Sequence, residues 1–432
     1  MERYKEYKSS KVYWINEIPI SWQQIKMSRI FHSIGSGTTP SSGDNTFYVD
    51  EGWNWLQSGD FKDNFVYDTS KKISEVAINK YGLKLYPENA IVIAMYGASI
   101  GKVGFLKIKT TVNQACCVLY DSPIMNMHYA FYSLISEKNN LIRKSKGGTQ
   151  PNISQELIKG HYLAVPPLAE QEKIVSYLEN KTSKIDAYVA DKEKEIELLQ
   201  ELKQKTIADA VTKGLNPDAK MKDSGISWIG DIPEHWEVKR VASFLHERKE
   251  RYNGDETLGI LSLLKGIGII PYEDKGNLGN KAKEDLSTYK ITRKGDVVVN
   301  CMNVIIGSSG ITDYDGYISP AYYSFIPISK MMATLYKHWL SLPQMQGAIR
   351  CMAKGILEIR LRVSSQQLLS MKIPFPPQDE QQSIVVYIEE KCEKIAKLAS
   401  ELQSEIDYLK EYKQRLIADC VTGQVNVQNE MI

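Results

Sequence analysis

The stretch Gly97-Ala98-Ser99-Ile100-Gly101-Lys102 is where this sequence comes nearest to a recognisable reactive motif. A phosphate-cradling loop needs G-x-x-x-x-G-K followed by Ser or Thr to hold magnesium. Here the two glycines stand one residue too close, and Val103 fills the place of the hydroxyl. The matching stretch VIIGSSG, Val304 to Gly310, has no lysine at all. Gly35-x-Gly37 and Gly266-x-Gly268 lack the third glycine and the following helix of a dinucleotide fingerprint. Cys116, Cys117, Cys301, Cys351, Cys392 and Cys420 form no C-x-x-C pair and have no histidine at zinc spacing, so they read as reduced and mostly buried thiols. The six histidines, His32, His128, His161, His235, His246 and His338, form no ligand spacing either. Acid-x-Lys triplets arise by chance among 54 bases and 52 acids and carry no signal. The sequence predicts no catalytic residue, no metal and no cofactor.

What remains is polar chemistry in loops. In the first half, Thr38, Thr39, Ser58, Lys62, Tyr96, Ser99, Lys102, Thr149, Gln150 and Asn152 stand at turn-like positions. In the second half, Lys265, Asn300, Asn303, Ser308, Lys354, Arg360 and Arg362 occupy the equivalent stretches. Asn, Gln and Arg can read base edges bidentately, while Lys, Ser and Thr more often fix phosphates. Any one of them can equally be a solvated loop residue, and it is the set that points to DNA.

The charge distribution points the same way. The net charge of +2 hides a division: segments 168–212 and 378–422 carry −3 and −4, which leaves +9 on the rest of the chain. A positive surface on the globular parts suits phosphate. Apolar runs such as Ala90 to Met95 have only strand length, and the first ten residues, MERYKEYKSS, are charged and unlike a signal peptide. A cytoplasmic protein is expected. With 432 residues, 43% of them hydrophobic and 25% charged, the chain has room for two to four ordinary domains.

The elements that must position these loops are organised by a repeat. Residues 166–212 and 376–422 align at a constant offset of 210 with 22 identities in 47 positions. At offset 214, Trp14-Ile15, Ile18-Pro19 and Trp22 match Trp228-Ile229, Ile232-Pro233 and Trp236. At offset 206, AIVIAMYGASIGKVG matches DVVVNCMNVIIGSSG. Changing offsets place insertions in loops, whereas a constant offset fits packed helices, where length is not free. Two units follow, about 1–216 and 217–432.

In each unit a front part with short apolar runs, glycines and turn signals reads as a strand-rich mixed domain. The rear part has neither Gly nor Pro after its opening Pro-Pro and carries a coiled-coil rhythm. In the first rear part the apolar stripe is Ile174, Leu178, Ile185, Val189, Ile196 and Leu199; in the second it is Ile384, Ile388, Ile395, Leu398, Leu402, Ile406 and Leu409. Pro166-Pro167 and Pro376-Pro377 mark the helix starts, and Asn216-Pro217 and Thr422-Gly423 the exits. Each stripe can be buried against its own globular domain or against the other helix. Units repeated head to tail usually pair about a two-fold axis. That pairing makes the helices antiparallel and the fold class α+β, with two mixed, strand-rich recognition domains held apart by two long helices. The boundaries expected are 1–165 and 217–375 for the domains, 166–216 for the first helical spacer, and 376–432 for the second with its tail.

In their order the motifs resemble those of Type I restriction-modification specificity subunits over essentially the full length. They are the W-I-x-x-I-P-x-x-W openings, G-T-T-P at Gly37 to Pro40, the strand and I-G-K turn at Ile91 to Lys102, Asn113-Gln114, and PPL-x-EQ followed by K-x-x-x-I-A-D-x-V-T. The second unit departs from the pattern at PPQDEQ and at Ser319-Pro320, as two heads reading different half-sites would. The resemblance implies one target-recognition domain per unit, each reading half of a bipartite site in double-stranded DNA. It implies helices that set the spacer and dock two modification (methyltransferase) subunits, onto which motor-nuclease subunits assemble. It also implies a non-catalytic chain. A coiled-coil scaffold that binds no DNA would explain the helices but not the +9 elsewhere, and an enzyme would need motifs that are missing.

Overall fold

The computed structural model describes residues 2–44, 46–145, 151–278, 281–283, 285–353 and 361–428. The chain divides into two compact units, Met1–Lys192 with Ser404–Ile432, and Glu193–Gln403. The fold is α+β: mixed sheets in each unit and two helices of 46 and 44 residues.

In unit 1 the central sheet is built from β1 (Ser33–Ser36), β2 (Asn64–Val66), β3 (Ile91–Ala94), β4 (Val103–Leu106) and β5 (Cys116–Tyr120), in the order β1-β5-β3-β4-β2. All neighbours are antiparallel except β4 and β2, which run parallel. The period of two explains why β3 is apolar at every position: both of its faces are covered. Ile91, Ile93, Val103, Phe105, Cys117 and Leu119 enter the core beneath helix α1 (Met127–Arg143). Val92, Ala94, Leu106, Cys116 and Val118 enter a second core with Leu56, Tyr86 and Val112. A slip of one residue would exchange the two sets, so the register is firmly specified.

The first long helix, α2 (Leu168–Lys213), starts directly after Pro166-Pro167. It ends at Lys213 because Gly214 turns to φ +74, three residues before the expected Asn216-Pro217. Unit 2 repeats the pattern of unit 1. The strands of its two larger sheets are β6 (Leu245–Glu247), β7 (Gly259–Leu264), β8 (Gly268–Pro271), β9 (Lys290–Thr292), β10 (Val297–Asn300), β11 (Ser309–Ile311), β12 (Gly316–Ile318) and β13 (Tyr322–Pro327). They form sheets of order β6-β13-β10-β11 and β8-β7-β12-β9. Helices α3 (Lys330–Ser341) and α4 (Pro343–Met352) cover the first sheet through Val297 and Val299. Helix α5 (Gln378–Val421) follows Pro376-Pro377.

Equivalent bonds recur in the two units. Met27 N donates to His161 O, and Val241 N to Met371 O, both at 2.8 Å. The Trp and Glu of the two repeated motifs meet as a clasp: Trp22 Nε1 donates to Glu170 at 3.0 Å, and Trp236 Nε1 to Glu380 at 2.9 Å. The following Gln171 and Gln381 each donate to a carbonyl of the Pro-Pro pair, Pro166 O and Pro376 O, at 2.8 Å. An indole N–H can only donate, so the carboxylate, buried at Glu170 and half-buried at Glu380, both satisfies it and fixes the helix start.

Each unit also takes in a piece of both long helices. The core of unit 1 holds Ile174 and Leu178 from α2 together with Leu416, Ile417, Cys420 and Val421 from the end of α5. The core of unit 2 holds Ile384 and Ile388 from α5 with Ile207, Ala210 and Val211 from the end of α2. Ile174, Leu178, Ile384 and Ile388 are therefore residues of the globular cores rather than of a free helix pair. Within unit 1, Lys413 Nζ meets Asp186 at 2.6 Å and Lys192 Nζ meets Glu405 at 3.8 Å, so the two helix segments run antiparallel.

Val189, Leu402 and Ile406 are buried, while Ile185, Ile196, Leu199, Ile395 and Leu409 are half-buried. Leu398 is a correction, because it is 45% exposed. Half-buried Ala399 takes its place in the rhythm Cys392, Ile395, Ala399, Leu402, Ile406, Leu409, whose spacings of three and four are a heptad. Among the described residues no helix is long and apolar enough to cross a membrane, and no three His, Cys, Asp or Glu side chains cluster as metal ligands.

Candidate nucleic-acid interface

The loops that carry the expected contacts in unit 1 meet at one end of the central sheet. Gly37 begins the segment leaving β1 and crosses so close to the strand Thr111–Val112 that a Cβ would coincide with the Val112 carbonyl. That crossing brings Thr38 and Thr39 out at the surface, where the Thr39 hydroxyl donates to Gln114 Oε1. Tyr96, just past β3, has its phenol pushed up chiefly by burial, with nearby Gln114 acting in the opposite direction. Asn152 bridges to Tyr96, while Ile153 N donates to Met95 O at 2.8 Å. Asn113 N donates to Leu56 O at 3.0 Å, bringing in the turn that carries Ser58. Asp63 Oδ1 accepts from Val103 N at 2.8 Å and sets Lys62 beside the turn of Ser99 and Lys102.

Gln114 links Thr39 and Tyr96 at the middle of this surface. It was not among the candidate contacts, although the Asn113-Gln114 pair that signals it is plain in the sequence.

The 97–102 turn has no room for a phosphate. Ile100 N, Gly101 N and Lys102 N donate to Gly97 O, Ala94 O and Ser99 O, so three successive amides are already used. A Cβ at Gly101 (φ +74) would stand 2.9 Å from Ile142, so this glycine serves packing against α1. The two thiols of β5 are equally inert: burial pushes Cys117 up to about 12 and raises Cys116 further.

In unit 2, Lys265, Asn300, Asn303 and Ser308 share the wall of one cavity of about 350 Å³. Arg362 is exposed on the neighbouring segment, which Val363 N anchors to Cys301 O at 3.0 Å, the counterpart of Ile153 on Met95. Thr149, Gln150, Lys354 and Arg360 lie outside the described residues.

Residues 19–198 match the family model of the Type I restriction modification DNA specificity domain. The Type I restriction enzyme MjaVIII specificity subunit of Methanocaldococcus jannaschii is 24% identical and aligns over 99% of this chain and 98% of its own. Over nearly its full length the chain is similar to the Type I restriction-modification specificity-subunit family. Within this family the EcoBI specificity subunit of Escherichia coli is 23% identical over 80% of this chain and 76% of its own. Solved folds agree. A chain of a type I R-M system, studied for its complex assembly and conformational transition, matches with a TM-score of 0.69 at 15% identity, covering 94% of this chain and 99% of that one. The HsdS subunit from Thermoanaerobacter tengcongensis matches with a TM-score of 0.50 at 16% identity over 94% and 98%.

Proposed function

We propose that the chain is the DNA-reading subunit of a Type I restriction-modification complex. Residues 1–165 and 217–375 each read one half of a bipartite site in double-stranded DNA. Residues 166–216 and 376–432 form helical spacers that set the distance between the half-sites. The observation that carries this reading is the convergence of Thr38, Thr39, Tyr96, Gln114 and Asn152 on one sheet end in unit 1, with polar loops at the equivalent place in unit 2. The charge of +9 outside the helices supports it, since phosphate contacts supply most of the affinity of such readers. Methyl transfer and cleavage belong to partner subunits, and the site of action is the cytoplasm.

Two modification subunits dock on the long helices, with motor-nuclease subunits joining through them. Large apolar side chains left exposed there support this: Tyr188, Leu198 and Leu202 on α2, and Leu398, Tyr408 and Tyr412 on α5. The deciding experiment expresses the chain with the modification subunit encoded beside it and sequences the methylated adenines of the host. A methylated sequence of two half-sites separated by a fixed gap is expected. Methylation without such a pattern, together with no salt-dependent shift of duplex DNA by the chain, would leave only a scaffold.

A further inference from the structure

The cavity in unit 2 has a built interior that the corresponding place in unit 1 lacks. It is enclosed by β7, the end of β10, the 302–308 turn and the segment before β9, and its volume of about 350 Å³ lies at the small end of ligand pockets. Tyr272, Tyr289 and Tyr322 line it. Asn300 is only 7% exposed, and its Oδ1 accepts from Met302 N at 3.0 Å. That bond fixes which end of the amide is the oxygen. The Nδ2 group therefore faces the cavity with its donors, and no described residue accepts from it. The Ser308 hydroxyl lies beside it, 3% exposed. Lys265, Lys275 and Lys281 are also among the lining residues, and the described lining holds no carboxylate. Lys275 is used internally, donating to Leu278 O at 2.8 Å, while Lys265 and Lys281 are exposed. In the repeat, Ala94 stands where Asn300 does and Gly97 where Asn303 does.

We infer that this cavity takes one nucleotide, its base among the tyrosines with a carbonyl oxygen accepting from Asn300 Nδ2, and its phosphate held by Lys265 and Lys281. A donor amide whose oxygen is already engaged favours thymine or guanine over adenine, which has no carbonyl. Aromatic walls suit an unstacked base. The nucleotide comes either from a strand of bound DNA, in which case the inference rests on the DNA-reading proposal, or from the free pool.

Two arms on the full chain separate these sources. Calorimetric titration with dTMP, dGMP and dAMP tests the free nucleotide. Permanganate and kethoxal, which attack unpaired thymine and guanine, test a duplex bound at low salt. In whichever arm responds, Asn300→Asp should weaken the carbonyl bases about three- to tenfold and leave dAMP or unmodified positions unchanged. Asn300→Ala, which installs the residue the fold already tolerates at Ala94, should do the same and guards against misfolding of the first variant. Lys265→Ala should weaken all nucleotides alike. If the wild-type chain binds no mononucleotide and exposes no base in the duplex, or if both Asn300 variants match it in both arms, the inference fails. If duplex DNA is not bound at all, the DNA reading fails, and the dTMP arm still decides the cavity.

Discussion

Lengthening both long helices by one heptad should widen the gap in the recognised DNA sequence without changing either half-site. The structure fixes where the insertions belong. In unit 2 Lys203 lies by Cys392 and Gly214 by Glu380, so Gln200 stands about opposite Ile395. Seven residues after Gln200 and seven after Lys394 then meet each other and keep the stripe of Ile196, Leu199, Ile395, Ala399 and Leu402 in phase. The added rise is about 10.5 Å at 1.5 Å per residue. DNA rises about 3.4 Å per base pair, so the gap should grow by roughly three base pairs, less whatever bending absorbs. The assay is methylome sequencing of cells that express the variant with its modification subunit. A folded variant that methylates the original spacing unchanged would refute the idea that these helices set the distance.

Four further outcomes are expected. Exchanging residues 24–150 for the same segment of another family member should change one half-site and spare the other, as the methylome of the hybrid would record; a change in both would end the modular reading. Ile406→Ala, at a fully buried seam position, should cost about 2–5 kcal/mol in denaturant unfolding, whereas Leu398→Ala, at an exposed one, should stay within about 0.5 kcal/mol. His338 is buried, its Nε2 has no partner among the described residues, and burial lowers it to about 4, with Lys337 and Lys203 adding to the effect. Its neutral form is favoured only in the folded state, so stability is complete above the unfolded value near 6.5 and falls as the pH drops towards 4. The loss at pH 5 is about 2 kcal/mol, and His338→Phe should flatten the acid limb of the Tm profile. Lys102→Ala should weaken DNA binding evenly across sequences and lower the salt slope by about one, read by fluorescence anisotropy.

The helices were legible because heptad rhythm and the lack of Gly and Pro are local signals, and their starts fall at the Pro-Pro pairs as read. The misplacement of Leu398 has a simple cause. Leu398 and Ala399 are neighbours, hydrophobicity favours leucine, and only the phase of the whole seam selects the alanine. The pairing of β2 with β4, Asn64–Val66 against Gly104–Leu106, joins segments some forty residues apart and has no signature in either strand. Gln114 was hidden for a related reason: its contacts come from Thr39 and Tyr96, which only the folded sheet brings near. The destination of each helix end followed only from the expected antiparallel pairing, not from the helix ends themselves. The repeat gives both ends the same I-A-D-x-V-T sequence, so either would fit either core.

That destination matters for how the protein is made. Every segment of unit 2 lies within residues 193–403, so all of it is synthesised before the segment 404–432 that unit 1 needs. Unit 1 draws on segments synthesised both before and after unit 2. Glu2 bridges to Asn426, the Tyr7 hydroxyl donates to Gly423 O at 3.0 Å, and Leu416, Ile417, Cys420 and Val421 complete its core. At a synthesis rate of about 5–20 residues per second, the first head waits some tens of seconds with an apolar face uncovered. A chain truncated after Gln403 would keep every segment of the second head and leave the first permanently open, a substrate for chaperones and proteases rather than a reader of DNA.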